Sequence, residues 1–277
     1  MTIDRKHLPS NTWADTLLRR ITTTLVTTIW ISAIIFGLYI LLYYLNSWLG
    51  GELSRWNEGV SELYAEDDPL ATGGMGIHFI GGTVLLFFGT IQFIERLRLR
   101  YPVIHRWLGR IYIASSLATA IGGLLYIFTH GTVGGTVMDV GFALYGLVMM
   151  VAAVETIRHA RARRYERHRI WALRLYLLVI ASWLYRMEYG FWYLFTGGAG
   201  STPNLIGPFD QVMAFFFYIP NLLLLEFFLR AKEPRTSTPI KVFASVMLVI
   251  ITGGLVIMTL GFMAQEWGPA IAGTETQ

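Results

Sequence analysis

The sequence contains no cysteine, and only 14% of its 277 residues are charged. The missing cysteine excludes disulfides, thiolate zinc sites, iron–sulfur clusters and covalently attached haem. A metal ion would have to be bound by histidine, methionine, tyrosine or a carboxylate. The low charge, together with 54% hydrophobic residues, excludes an ordinary soluble globular domain. The sequence also lacks a nucleophile motif, a phosphate-binding loop and a catalytic carboxylate pair, so nothing in it indicates a hydrolase or a kinase.

Seven apolar windows account for most of the chain. They cover about residues 21–48, 76–95, 106–128, 137–157, 170–195, 210–229 and 240–264. Each is close to the roughly 20 residues that an α-helix needs to cross a bilayer. The sequence therefore predicts an all-α fold, a polytopic bundle of transmembrane helices in one domain over residues 21–265, followed by a tail over 266–277. Aromatic residues near one predicted boundary, typical of membrane anchors, are Trp48, Trp56, Trp192, Tyr193 and Trp267.

The first 20 residues are predicted to be a cytoplasmic segment rather than a cleavable signal peptide. The apolar run that follows them continues to about Leu49 without a small-residue cleavage site, so it should remain as a signal anchor. Residues 8–18 mix apolar and polar side chains, which favours a short interfacial helix.

Positive charges divide the connections between spans into two groups. Every Lys and Arg except Arg55 and Arg186 lies before the first span or beside the second, fourth and sixth connections. The positive-inside rule makes these regions cytoplasmic, which predicts an inside N-terminus and an outside C-terminus in a bacterial inner membrane. The net charge of +4 then faces anionic lipid headgroups rather than nucleic acid. The acidic connection 52–68 lies outside, where a solvated loop is favoured over a site for a cation or a basic partner.

Two segments of the chain resemble one another. The first reads IERLRLRYPVIHRWLGRIY and the second VETIRHARARRYERHRIWALRLY. In each, a Glu ends one span, an arginine-rich turn follows, and His-Arg, Trp, Arg and Tyr open the next span. The two histidines, His105 and His168, are 63 residues apart. The pattern predicts a duplicated helical hairpin core over residues 76–195, with Glu95, Glu155 and Glu226 as ion-paired residues at span ends.

Polar residues in the second, third and fifth spans recur at helical spacing, so each set shares one face. These faces should point into the bundle because ionisable residues are costly in lipid, although the glycines alone favour close packing. The three stripes are His78, Gly82, Leu85, Gly89, Gln92 and Arg96; His105, Gly109, Tyr112, Ser116, Thr119 and Gly123, joined by His130 if the helix extends that far; and His168, Leu175, Val179, Ser182, Arg186 and Tyr193.

The predicted orientation places the histidines in two layers, separated by about 25 Å of helix rise. Arg186 is permanently charged inside the fifth span and needs a counter-charge. Asp210, an anionic ligand or a haem propionate could supply it, and the alternative is that the side chain reaches the outer interface. The outer layer is His78, His130 and Arg186, and the cytoplasmic layer is His105 and His168 with Arg96, Arg110 and Arg174 around them.

The run HFIGGTVLLFFGTIQFIERLRLRYPVIHRWLGRIY, from His78 to Tyr112, followed by HRIWALRLY and Arg186, resembles a bacterial family of uncharacterised multi-pass membrane proteins. The resemblance covers about residues 76–190, with Ala172 where that family usually has Met. It implies a membrane-spanning fold and no established activity.

More remotely, the layout resembles the ascorbate-reducible cytochrome b family and its ferric-reductase relatives. That resemblance implies two b-type haems, each ligated by histidines of two helices, and electron transfer across the membrane. On this basis His105 and His168 would be the axial ligands on the cytoplasmic side, and His78 and His130 would be the outer pair.

Three functions remain open. The first is electron transfer through haem b with a quinone or another redox partner, which would make the protein a transmembrane oxidoreductase. The second is a small-solute or proton-coupled carrier in which histidines relay protons. The third is a non-catalytic accessory subunit of a larger membrane complex. No catalytic residue is identified, and the predicted cofactor-binding residues are His78, His105, His130, His168, Arg186, Arg110, Arg174 and Gln92, the four histidines as possible iron ligands.

Overall fold

The structure is a computed structural model that describes residues 12–59, 63–233 and 236–272. These residues form helices and turns, and no β-strand occurs among them. The principal helices are α1 (Trp13–Gly50), α2 (Pro69–Phe88), α3 (Glu95–Arg100), α4 (Pro102–Thr129), α5 (Gly135–Arg161), α6 (Tyr165–Thr196), α7 (Pro208–Phe216), α8 (Ile219–Ala231) and α9 (Thr238–Ala272). One turn of α1 (Leu41–Leu45) and one of α9 (Met263–Trp267) are π-helical.

Six of these helices are long and apolar enough to cross a membrane, and α7 and α8 form a pair, bent by 40°, that can act as one broken span. The predictions of an all-α fold and of about seven spans are therefore confirmed. Of the predicted interfacial helix, the described part from Trp13 onward forms the first turns of α1, while residues 1–11 lie outside the described ranges. Residues 266–272 continue α9, and 273–277 of the predicted tail are again outside those ranges.

Charged contacts join the helices at one end of the bundle, where α1, α4, α6 and α9 begin and α5 and α8 end. Lys241 Nζ of α9 lies 2.6 Å from Asp15 Oδ1 of α1, and Arg174 Nε of α6 lies 2.7 Å from Glu226 Oε1 of α8. We call this the basic end, because the arginine-rich segments of the sequence lie here. The opposite end, formed by loops 51–68, 130–134 and 197–207, is called the loop end.

Helices α2 and α4 approach each other at backbone distance. A Cβ added at Gly74 would lie 2.8 Å from the carbonyl oxygen of Gly122, and one at Gly81 would collide with Thr119. Small residues allow such contact in a membrane, where close packing replaces the hydrophobic effect as the main attraction between helices. The closest contacts thus come from glycines beside the predicted stripe, whereas Gly82 within the stripe has no atom within 4 Å of an added Cβ.

The predicted hairpins correspond to α2–α4 and α5–α6. In both, an arginine stacks on the tryptophan three residues before it: Arg110 lies 4.8 Å from the ring centroid of Trp107, and Arg174 lies 4.6 Å from that of Trp171. The hairpins differ in their connections, because the first contains the additional helix α3. The predicted ion pairs at span ends are present as Glu95–Arg98, Glu155–Arg158 and Glu226–Arg174.

Two of the predicted membrane-anchoring tryptophans are core residues instead. Trp56 is 1% exposed and Trp267 is 0% exposed. The indole of Trp56 donates to the carbonyl oxygen of Tyr44 at 2.9 Å, and Trp267 packs against Phe36 and Phe262. The anchoring prediction was wrong for this pair because residues 51–59 and the π-helical turn of α9 fold over the loop end of the bundle and bury both indoles.

Candidate polar site in the bundle interior

The polar stripes of α2, α4 and α6 meet at an interior cavity of about 60 Å³. Its polar lining consists of Tyr44 from α1, His78 from α2, Thr119 from α4, Tyr145 from α5, and Ser182 and Arg186 from α6. Apolar side chains of α1, α2, α5 and α6 complete the wall. The middle of each stripe therefore faces the bundle interior, as predicted, whereas Arg96 and Tyr193 at the stripe ends are exposed.

The imidazole of His78 is fixed by the neighbouring helix. Its Nδ1 lies 3.0 Å from the carbonyl oxygen of Thr119. A carbonyl oxygen can only accept a hydrogen bond, so Nδ1 carries the proton in the neutral ring and Nε2 is the proton-accepting nitrogen. Gly123 provides the space, since a Cβ there would lie 3.0 Å from Nδ1. The small residue at this position of the α4 stripe thus makes room for a histidine of α2.

Arg186 holds its guanidinium deep in the bundle. Its Nη1 donates to the carbonyl oxygen of Ser182 at 3.2 Å, and its Cζ lies 4.8 Å from the ring centroid of Phe36. Ser182 is one turn closer to the basic end, so the side chain points away from the loop end. The residue itself is already about 15 Å of helix rise below Thr196, the last residue of α6. The guanidinium therefore points toward the cavity rather than toward the loop end, and the alternative in which Arg186 reaches the outer interface stays a prediction.

No described carboxylate neutralises this charge. Within residues 12–59, 63–233 and 236–272, no carboxylate oxygen lies within 4.0 Å of the Arg186 guanidinium. Glu188, which is two residues from Arg186 in the sequence, and Asp210, the predicted counter-charge, both have other partners. Glu188 accepts from Asn221 at 2.8 Å, and Asp210 accepts from Tyr189 at 2.8 Å and from the backbone amide of Gly207 at 2.9 Å. Asp210 as the counter-charge of Arg186 is thus a wrong prediction, because its oxygens organise the loop before α7.

The second layer of histidines lies toward the basic end. His168 Nδ1 is 3.0 Å from the carbonyl oxygen of Thr156, which again leaves Nε2 as the proton acceptor. His105 lies in the first turn of α4, and His168 lies in the first turn of α6. The buried Nδ1 of His105 has no hydrogen-bond partner among the described atoms. Both predicted residues therefore lie at the basic end.

The other predicted binding residues of this layer have different surroundings. Gln92 faces α4, with its Oε1 3.7 Å from a Cβ added at Gly109, and its buried Nε2 has no partner within the described parts of the chain. Arg110 is exposed and stacks on a tryptophan of its own helix. Arg174 pairs with Glu226. Neighbouring side chains therefore hold both arginines. Of these three residues, Gln92 is the one with a buried polar atom that makes no hydrogen bond within the described ranges.

The outer histidine pair does not fit a haem. His130 is exposed at the end of α4, its ring 5.5 Å from that of Tyr126. Eleven residues, about 16 Å of helix rise, separate it from Thr119, to which His78 is hydrogen-bonded. The two imidazoles therefore cannot ligate one iron. The cavity beside His78, about 60 Å³, is also well below the roughly 300 Å³ at which small-molecule pockets begin. Throughout the described ranges, no three His, Asp or Glu side chains form a cluster that could hold a metal ion.

Sequence reasoning missed three residues of the interior. Tyr145 lines the cavity from α5, the span to which no stripe was assigned, and its hydroxyl donates to the carbonyl oxygen of Leu178 at 2.5 Å. Thr119 and Tyr112 belong to the predicted α4 stripe but were not expected to bind anything. Both are buried, and the hydroxyl of each lacks a hydrogen-bond partner among the described atoms. For Tyr112 and Thr119, the available signal was that they follow His105 at successive intervals of seven residues.

No curated protein and no solved structure matches the chain. A family of multi-pass membrane proteins does match, over residues 75–229, which is more than half of the chain and extends from α2 to α8. The matched region contains His78, Arg186 and most of the cavity lining, whereas Phe36, Ile40 and Tyr44 of α1 lie outside it. The resemblance to an uncharacterised membrane family is thereby confirmed, while the remote resemblance to cytochromes b stays a prediction. The chain belongs to the family described as "Predicted membrane protein (DUF2306)".

Proposed function

We propose that this multi-pass membrane protein is a carrier that moves a small anion together with a proton. The observation that supports the proposal is Arg186, a guanidinium without a carboxylate partner that lines an interior cavity together with His78. Arginine remains charged at any physiological pH, and an unpaired charge inside a membrane protein is expensive. A ligand that brings the missing negative charge would therefore be favoured at this position.

The size of the cavity limits the ligand. A volume of about 60 Å³ holds a few water molecules, since a cavity needs about 10–15 Å³ of this kind of volume for each water. We therefore propose a monovalent anion of a few heavy atoms. Hydroxyl groups of Ser182 and Thr119 and the guanidinium itself supply donors around it.

His78 is the proposed proton carrier. The hydrogen bond from its Nδ1 to Thr119 leaves Nε2 free to accept a proton. In the loaded site, the positive charge of a protonated His78 cancels the negative charge of the bound anion, and the charge of Arg186 remains. The anion and the proton therefore favour each other's binding. Movement of the pair transfers no net charge across the membrane.

Transport by the purified protein in liposomes tests this function. With a pH-sensitive dye inside, an inward gradient of chloride, nitrate or formate should acidify the lumen. Arg186→Gln should weaken the apparent anion affinity about tenfold to a hundredfold, the cost of one charge-assisted hydrogen bond. Arg110→Gln is the matched control, because Arg110 is exposed and stacks on its own helix. His78→Gln keeps a donor for Thr119 but cannot accept a proton, so anion binding should persist while acidification stops.

Two results would contradict the proposal. The first is the absence of acidification with every small anion in folded wild-type protein. The second is an Arg186→Gln variant that transports like wild type.

Haem-mediated electron transfer is a second candidate, now restricted to the basic end. The favouring observation is that His105 and His168 each lie in the first turn of a helix at the basic end, and that the His168 ring is oriented by a backbone carbonyl, as is usual for metal-ligating imidazoles. A haem there would supply one-electron chemistry with a quinone or another redox partner. The absorption spectrum of purified protein, oxidised and then reduced with dithionite, should show bands that are lost in His168→Ala. A folded and colourless preparation would exclude this candidate.

We further propose that the basic end faces the cytoplasm of a bacterial cell, with its exposed arginines at anionic lipid headgroups. The chain has no cysteine, so single cysteines report on topology without background. A membrane-impermeant maleimide added to intact cells should label Ala199→Cys at the loop end and spare Ala162→Cys at the basic end. The reverse pattern would overturn this orientation.

A further inference from the structure

Three buried polar atoms without hydrogen-bond partners follow one face of α4. They are Nδ1 of His105, the hydroxyl of Tyr112 and Oγ1 of Thr119. Each is seven residues after the one before, which is two helical turns, so the three side chains lie on the same face. We call them the α4 row. Tyr112 is 6% exposed and Thr119 is 5% exposed, so bulk water does not reach either hydroxyl.

Neighbouring polar groups in the middle of the row already have other partners. The hydroxyl of Ser116 donates to the carbonyl oxygen of Tyr112 at 2.8 Å. The hydroxyl of Tyr176 is 2.7 Å from Oγ1 of Thr90. Both are therefore occupied, and the hydroxyl of Tyr112 is left facing Gly89, where an added Cβ would lie 3.1 Å from it. Gly89, which directly follows α2, therefore makes room for this hydroxyl.

Gln92 adds a fourth unpartnered group between His105 and Tyr112. Its Nε2 is buried and unbonded, and its Oε1 lies beside Gly109, which is midway between those two residues on α4. A glycine therefore lies beside two of these polar groups: Gly89, directly after α2, is beside Tyr112, and Gly109 of α4 is beside Gln92. Buried polar groups in proteins almost always have partners, and when the protein supplies none, internal water usually does.

The row joins the two polar layers of the bundle. Thr119 lines the cavity of His78 and Arg186, and its backbone carbonyl accepts from His78. At the other end, His105 lies in the first turn of α4, at the basic end. Successive members are about 10 Å apart along the helix. Two or three waters at hydrogen-bond spacing of about 2.8 Å would bridge each interval.

We propose that the α4 row, together with Gln92, is a hydrated proton path between the basic end and the cavity of His78 and Arg186. This inference rests on the proposed carrier function and names the route of its proton. A proton that binds one nitrogen of His105 releases another from the second nitrogen. The hydroxyl of Tyr112 likewise accepts one proton as it donates its own. Each group returns to its initial state after reorientation, so no charge remains on the row and no redox partner is required.

Hydroxyl-radical labelling by X-ray pulses, followed by mass spectrometry, tests the hydration directly. Radicals form from water at the site of irradiation, so a buried side chain is labelled rapidly when water lies beside it. Tyr112 should be labelled several times faster than Tyr218. Tyr218 is the matched control because it is 2% exposed and its hydroxyl donates to the carbonyl oxygen of Gly141 at 3.3 Å. Equal and slow labelling of the two tyrosines would overturn the proposal.

Proton flux in liposomes tests conduction. Tyr112→Phe removes a hydroxyl that bonds to no described group, so the variant should fold, and it should reduce anion-driven acidification at least about tenfold. Tyr218→Phe should leave acidification near the wild-type level. Unchanged flux in Tyr112→Phe, with a transporting wild type, would refute the path and leave the carrier function standing. If the wild type moves no protons, the carrier function and the conducting role both fail, and labelling of Tyr112 would then show a water site alone.

Discussion

Replacement of Asp210 should reveal how the loop end is held together. The side chain is fully buried at the first turn of α7, and its two oxygens face different donors. Oδ1 accepts from the hydroxyls of Tyr189 at 2.8 Å and Ser201 at 2.7 Å. Oδ2 accepts from the backbone amides of Thr202 and Gly207, both at 2.9 Å. One carboxylate therefore joins α6, the loop 197–207 and the start of α7.

Because the two carboxylate oxygens have different donors, we expect different losses of folding stability for two substitutions of Asp210. In Asp210→Asn the remaining oxygen can face the amides, which only donate, while the new NH₂ group donates to hydroxyls that can also accept. We expect a loss of about 1 kcal/mol, because charge-assisted bonds become neutral ones. Asp210→Ala leaves the amides of Thr202 and Gly207 without an acceptor, at about 1–3 kcal/mol for each buried donor. The expected total is about 3 kcal/mol.

Thermal unfolding of detergent-solubilised protein, followed by tryptophan fluorescence, measures both effects. At about 2–4 °C per kcal/mol, Asp210→Ala should lower the midpoint by roughly 6–12 °C and Asp210→Asn by roughly 2–4 °C. Gln211→Ala is the control from the same turn, since the Gln211 side chain is exposed and donates once, to Ile206 at 3.2 Å. The reasoning fails if alanine costs no more than this control, or if asparagine costs as much as alanine.

Two further predictions concern packing and charge at other points of the bundle. Gly81→Ala should destabilise the protein by about 1–3 kcal/mol, because the added Cβ collides with α4, whereas Gly73→Ala, with open space around it, should be neutral in the same unfolding assay. Asp15→Ala should lower the unfolding midpoint, mainly because it leaves the ammonium of Lys241, which is 2% exposed, without its partner, and to a smaller extent because Thr12 loses the acceptor of its amide and hydroxyl. In the second case the double variant with Lys241→Met should recover most of the loss, and a double variant as unstable as the single one would contradict the explanation.

The number of spans could be predicted because it depends on many residues at once. Hydropathy sums over about 20 positions, so a few misassigned residues do not remove a span, while the side that each connection faces stays a prediction. The interior faces of α2, α4 and α6 could be predicted equally well, because helical spacing alone puts His78, Thr119 and Arg186 on defined faces.

Partner choice could not be predicted in the same way. Asp210 was a reasonable counter-charge for Arg186 by its position in the chain, yet the fold of loop 197–207 brings backbone amides to it first. Trp56 and Trp267 sit at the sequence positions of interfacial anchors, but burial depends on how the chain folds back over the bundle. Such outcomes follow from tertiary contacts of single residues, which no periodicity encodes.

The glycine contact between α2 and α4 has a mechanical consequence. Because the backbones of Gly74 and Gly122 are in contact and Gly81 packs directly against Thr119, one helix cannot slide along the other without a collision at these two levels. The two helices should therefore move as one rigid body. The cavity lies beside this rigid body, with Arg186 on α6 at its opposite wall. An opening that admits a ligand must then come from displacement of α5, α6 or α1 relative to the pair α2–α4. His78 would move with this pair, whereas Arg186 would not.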